Sequence, residues 1–185
     1  MEGTDETLAQ RLQKGGEGAL AELMRRYEPK LMRYGNRFLA GQGGDALRQA
    51  VQDTFIRAYT NIEGYDPNQP FSSWMYRIAH NVFVDVLRQR TKQPTFGFDF
   101  DRIFSHAEQG DSYFEEKEQE ETRVLVEKAL TSLAPAQREI LVLYYFEELS
   151  YKEIADVLHV PIGTVGVRLK RARAALRTEL PAATP

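Results

Sequence analysis

At 185 residues and 42% hydrophobic content, the chain suffices for one compact domain or two small ones, and no apolar run approaches the roughly 20 residues that span a bilayer. It has no cysteine, which excludes disulfides and thiol chemistry and fits a cytoplasmic protein. The net charge of −3 is uneven: residues 94–122 hold nine acids against two Lys/Arg, and the flanking parts are near neutral or slightly basic, so overall acidity does not argue against nucleic acid.

The N-terminus, MEGTDETLAQ, lacks the basic-then-apolar layout of a secretory signal. Residues 5–14 predict a short helix ended by Gly15-Gly16. A longer one follows from Ala19 to Leu39, with Leu20, Leu23, Met24, Tyr27, Leu31, Tyr34 and Phe38 at three-and-four spacing, and with Pro29 expected to kink it or remove a hydrogen bond. After the GQGGD loop, a helix over 45–62 puts Leu47, Val51, Phe55, Ala58, Tyr59 and Ile62 inward and Gln49, Gln52, Asp53 and Arg57 outward.

The turn-rich GYDPNQP leads into FSSWMYRIAHNVFVDVLRQR, residues 71–90, a helix for which Ser72 or Ser73 is the expected cap. Phe71, Met75, Ile78 and Val82 fall on one side, and Tyr76, Phe83 and Leu87 on roughly the opposite one. Between them runs a stripe of Arg77, Asn81 and Arg88, flanked by Trp74 and Asp85. Cations hold phosphates, amides read base edges and aromatic faces stack on unpaired bases. The alternative is a two-sided core helix with a solvated polar stripe.

Residues 92–121 break the helical pattern and read as an acidic linker rich in phenylalanine: Phe96, Phe98, Phe100 and Phe104 suggest docking on a domain or partner, against simple low complexity. Helices are then predicted over 115–133, 136–147, 150–160 and from Pro161 to about 176. The third opens with Ser150-x-x-Glu153, a capping box. The last two, joined by a short turn, form a helix-turn-helix. From Asp156 to Glu179 there is no acid, but Arg168, Lys170, Arg171, Arg173 and Arg177 are present. Val165, Leu169, Ala172 and Leu176 face the core, while small Gly163, Val167 and Ala174 lie opposite, so the helix can settle into a major groove with Thr164 near its start.

His80, His106 and His159 are scattered, and HExxH, GxxxxGKS, GxGxxG and GxSxG are all absent. The expectation is therefore no catalytic residue, no metal, no cofactor and no enzymatic activity.

VQDTFIRAYTNIEGYDP, FSSWMYRIAHNVFVDVLRQR and the downstream LSYKEIADVLHVPIGTVGVRLKRARAALR together resemble the bacterial extracytoplasmic-function (ECF) sigma factors of the sigma-70 family, over about residues 5–178. The resemblance implies an all-α chain of two small helical domains: a region 2 domain over 5–93, a flexible acidic linker over 94–114 and a region 4 helix-turn-helix domain over 115–180. It implies a cytoplasmic protein without membrane insertion. Its partners would be core RNA polymerase, through the beta-prime clamp helices and beta flap, promoter DNA, and an anti-sigma factor. Gln49, Gln52, Asp53 and Arg57 would meet the polymerase. Phe71, Trp74, Tyr76, Arg77, Asn81, Asp85 and Arg88 would recognise and melt the minus-10 element. Thr164, Val165, Arg168, Lys170, Arg171 and Arg173 would read the minus-35 element. Two departures stand out: Arg48-Gln49 replaces the family's usual Glu-Asp pair, and Gly166-Val167 replaces a basic-Ser pair.

From residues alone, two other readings stay open. A stand-alone helix-turn-helix regulator would explain the last 60 residues and leave the 71–90 stripe unused. An interaction module that sequesters a regulator would use the acidic linker as its contact surface.

Overall fold

The computed structural model describes residues 3–40, 44–91 and 119–180, and every element among them is helical. Thr4 caps α1 (Asp5–Gln13) by accepting the Thr7 N–H at 3.2 Å. The acidic first turn of α1 is spent on its neighbours. Asp5 accepts from the Tyr27 hydroxyl at 2.7 Å and from Arg26 at 2.8 Å, both on α2 (Glu17–Phe38). Pro29 lies inside α2, which runs on as one helix through it.

The helix α3 (Gly44–Thr60) is followed by a single 3-10 turn at Ile62–Gly64. Gln13 at the end of α1 fixes that turn by donating to the Ile62 and Tyr65 carbonyls at 2.9 and 2.8 Å. Tyr65 in turn packs edge-on to Phe71 and tilted on Trp74, and its hydroxyl donates to the Gln69 carbonyl at 2.6 Å. The loop is thereby shaped around the start of α4 (Phe71–Thr91).

The serine cap expected for α4 is not what forms. The helix begins at Phe71, so Ser72 and Ser73 already have helical positions. Ser73 donates to the Pro70 carbonyl at 3.0 Å, and the Phe71 N–H donates instead to the Glu6 carboxylate of α1 at 3.1 Å. An acid at a helix N-terminus also meets the positive end of the helix dipole.

The second set comprises α5 (Gln119–Ser132), α6 (Pro135–Tyr145), α7 (Tyr151–Leu158) and α8 (Ile162–Glu179). Of the helix expected from residue 115, the described part begins at Gln119; the linker 94–114, with Phe96, Phe98, Phe100 and Phe104, lies outside the described residues. Ala134-Pro135 separates α5 from α6, with Pro135 in the first helical position, where its missing N–H costs nothing. The capping box at Ser150 is formed in both directions, Glu153 N–H to Ser150 Oγ at 3.3 Å and Ser150 N–H to the Glu153 carboxylate at 2.9 Å.

One buried apolar cluster runs through both sets, from Leu8 and Leu31 through Phe83 to Ile140, Leu143, Val165 and Leu169. Burying each such leucine, isoleucine or phenylalanine contributes roughly 1.5–3 kcal/mol. The two sets meet through α4 against α7 and α2 against α5 and α6. Nothing in the sequence pattern announced that contact.

Candidate nucleic-acid and polymerase interface

On α3, Gln49, Gln52, Asp53 and Arg57 are all exposed, as expected. Beside them stand two large apolar side chains, Ile56 at 60% exposure and Tyr59 at 53%; Tyr59, expected on the core side, instead faces outward one position past the buried Ala58. Arg48, at the first departure, pairs with Asp45 in the first turn of the helix. A groove of about 310 Å³ between α3 and α4 is lined by Gln49, Asp53, Arg57, Asp85 and Gln89.

The α4 residues divide. Asn81 and Arg88 are exposed and Asp85 is half-buried. Asp85 pairs with Arg88 at 3.5 Å and with Arg57 of α3 at 3.7 Å, which joins the expected polymerase and minus-10 residues into one chain of charges. Exposed pairs of this kind add at most about 1 kcal/mol each, so they set geometry more than stability. Phe71, Trp74 and Tyr76, by contrast, are buried. Phe71 packs against Tyr27, Tyr65 and Trp74 within its own bundle.

Tyr76 and Arg77 are covered from outside that bundle. The Tyr76 hydroxyl donates to the Glu147 carboxylate after α6, and Arg77 donates to Asp156 of α7 at 3.0 Å. Ser72 reaches Glu153 at 3.0 Å, and Arg37 of α2 pairs with Glu127 of α5 at 2.7 Å while its guanidinium lies 4.1 Å from the Phe146 ring centre.

At the centre is a fully buried carboxylate. Glu139 of α6 accepts on one oxygen from the Tyr34 hydroxyl at 2.5 Å and from His80 Nδ1 at 2.6 Å. Burial pulls the His80 imidazole down, but the charge and hydrogen bond of Glu139 outweigh it, and the net shift is upward. Glu147 also lies above the usual carboxylate range, because burial outweighs its bond from Tyr76 and the nearby Arg33, Arg37 and Lys30. Burial first, then the Glu139 charge and hydrogen bond, hold the Tyr34 phenol well above its ordinary value. A cleft of about 400 Å³ opens beside this cluster, lined by Arg57, His80, Asn81, Asp85, Arg88 and Glu139 among others.

Sequence reasoning missed His80, Glu139 and Glu147. A signal for Glu139 existed: in AQREILVLYYF it stands four residues before Leu143, on the face that buries. His80 likewise shares a helix face with Tyr76 and Phe83.

On the helix-turn-helix, His159 closes α7 in the left-handed conformation at φ 52° and Pro161 starts α8. Lys170, Arg171 and Arg173 are exposed, Thr164 is half-buried, and Arg168 is buried. Val165 is wholly buried, which fits its core phase and makes it an anchor of the helix. Val167 and Ile162 project on the outer side, at 50% and 56% exposure.

Two helical bundles, the second ending in a helix-turn-helix with an outward basic helix, define a DNA-binding protein of the kind that reads the major groove. Residues 23–93 match the sigma-70 region 2 family, and residues 123–176 match sigma-70 region 4. The chain is 32% identical to the ECF RNA polymerase sigma factor SigW of Bacillus subtilis, over 91% of this chain and 92% of that one. It is 34% identical to the ECF RNA polymerase sigma-E factor of Escherichia coli K12, over 94% and 92%. Among solved structures it superposes on CnrH, determined in complex with the cytosolic domain of CnrY, with a TM-score of 0.71 and 28% identity, covering 97% of this chain and 99% of that one. The chain belongs to the ECF sigma factors of the sigma-70 family. Its function is promoter-directed initiation of transcription.

Proposed function

We propose that α3, α4 and α8 divide the work of initiation among them. The observation that carries this is the order of two matched regions along one chain, with Gln49, Gln52, Asp53 and Arg57 exposed on the first and Lys170, Arg171 and Arg173 on the second. On this reading residues 5–93 are the region 2 domain, 94–114 the linker and 115–180 the region 4 domain. Gln49, Gln52, Asp53 and Arg57 dock core RNA polymerase, with Ile56 and Tyr59 supplying the apolar contact that desolvated interfaces favour.

Arg77, Asn81, Asp85 and Arg88 address the minus-10 strand. Trp74 and Tyr76 offer stacking surfaces once uncovered, and Phe71 holds Trp74 in place. Thr164, Lys170, Arg171 and Arg173 address the minus-35 duplex, seated by the buried Val165 and Arg168. The chain works by binding, with no cofactor, in the cytoplasm. No helix among the described residues is long and apolar enough to cross a membrane.

An anti-sigma factor is the expected regulator. This is supported by the fold shared with CnrH and by the superposition, at TM-score 0.64 and 25% identity, on RpoE of Bartonella quintana in complex with the anti-sigma factor NepR. Run-off transcription with purified core polymerase on a library of promoter fragments tests the whole reading. New start sites that depend on this protein are expected. With Arg171→Ala they should weaken most on promoters that rely on minus-35 contacts; a bidentate base contact is worth about 1–3 kcal/mol. No added start sites, together with binding of duplex DNA without polymerase, would show a stand-alone regulator instead.

A further inference from the structure

In the cross-domain hydrogen bonds described above, the donor sits on α2 or α4 and the acceptor is a carboxylate of the C-terminal bundle. Glu127, Glu139, Glu147, Glu153 and Asp156 together present to α2 and α4 what a nucleic-acid strand presents: a row of anionic oxygens. They take the hydroxyls of Ser72 and Tyr76 and the cations of Arg37 and Arg77, and they bury Tyr76. The α8 cations Lys170, Arg171 and Arg173 remain exposed in the same arrangement. The occlusion is therefore selective for one of the two faces assigned to DNA.

We propose that the acidic face of the C-terminal bundle is an internal mimic of the promoter strand, which keeps α4 closed to single-stranded DNA until the two bundles separate. This rests on the assignment of α4 as the strand-capturing face. The closed chain binds a single strand with an affinity reduced by the fraction of molecules that are open, so a latch that keeps nine molecules in ten closed lowers it about tenfold.

The chain has no cysteine, so Glu63→Cys and Thr178→Cys, both at exposed positions, give one dye site on each bundle. Energy transfer between the dyes reads closure. Anisotropy of a fluorescein-labelled pool of random-sequence single-stranded oligodeoxynucleotides, on undyed protein at low salt, reads capture. Glu147→Lys with Asp156→Lys turns two contacts repulsive. Glu28→Lys with Glu179→Lys changes the net charge equally at exposed positions that take no part in these contacts, and circular dichroism checks helicity in both.

The expected result is a longer dye separation and roughly tenfold or greater tightening with the first pair only, lost again when Arg77→Ala is added. Three results overturn the proposal: a parent chain already as extended as the first pair, an unchanged separation in that pair, or equal tightening by both pairs. If the first pair opens but gains no more affinity than the second, the α4 assignment itself fails. Polymerase-dependent start sites in the run-off assay would then still stand, which separates that failure from failure of the sigma-factor reading.

Discussion

At Gly35 there is no room for a methyl group. A Cβ built there would lie 2.4 Å from Leu47 Cδ1 and 2.9 and 3.0 Å from two atoms of the Phe83 ring, so α2 touches α3 and α4 through bare backbone. Gly35→Ala should therefore lose about 1–3 kcal/mol to overpacking, despite its gain in helix propensity. Gly18, in the same helix, has nothing within 4 Å of such a Cβ, and Gly18→Ala should gain about 0.5–1 kcal/mol. Urea unfolding of the two variants, with opposite signs expected, checks both. Residues of this kind explain what the sequence could and could not tell. Apolar positions such as Leu23, Phe83 and Leu143 were legible because helical periodicity alone places them inside. Gly35 reads as an ordinary helix-weakening glycine until its neighbours from other helices are known. Glu139 was legible only as to its helix face, for a related reason: an acid is buried only where partners wait, and Tyr34 and His80 come from 105 and 59 residues away along the chain.

Among the elements, the helix-turn-helix was the most legible, since both its capping box and its basic second helix are local in sequence. Ser150→Ala should remove a cap that closes in both directions, at a cost of about 1 kcal/mol in thermal or urea unfolding. Gly166→Ala should act the other way. Its Cβ would meet Tyr151 Cε2 at 3.5 Å, an ordinary contact, so the helix-propensity gain of about 0.5–1 kcal/mol is available without strain. A recognition helix that leaves this stability unused invites a comparison of duplex affinity between Gly166 and the alanine variant. The start of α4 was read wrongly because a carboxylate 65 residues upstream does the capping that a neighbouring serine ordinarily does. Glu6→Gln should therefore destabilise α4 as well as α1.

For the molecule as a whole, the latch carries a pH dependence whose sign follows from two groups. His80 and Glu147 both hold their protons more tightly when closed than their ordinary values allow. A group with a raised folded pKa stabilises the closed form fully below its ordinary value and loses that contribution as pH rises through the raised one. For His80 that loss begins above about pH 6.5, and for Glu147 above about 4.5. His80 faces Glu139 from α6, with Tyr34 from α2 on the same oxygen; Arg57 from α3 and Asp85 and Arg88 from its own helix share its cleft. Closure measured by energy transfer should thus weaken as the pH rises above about 6.5, and His80→Gln should flatten that profile. The two-bundle architecture was readable from two motifs in order, whereas their docking was not, because it depends on which acids of one bundle meet which donors of the other.

The contact between Arg77 and Asp156 also sets a limit on reach. By their own numbering the two promoter elements lie about 25 base pairs apart, or some 85 Å of duplex at about 3.4 Å per pair. A closed globule of this length has a radius of gyration of only about 16 Å, so it cannot touch both elements with that contact intact. The 21 residues of the linker, 94–114, can extend to roughly 69–76 Å at about 3.3–3.6 Å each, and the breadth of the two bundles must supply the rest. The tether between the bundles is then a ruler with little slack. Deleting ten of its residues should spare binding to either element alone, yet abolish run-off transcripts from promoters with the longest spacers first.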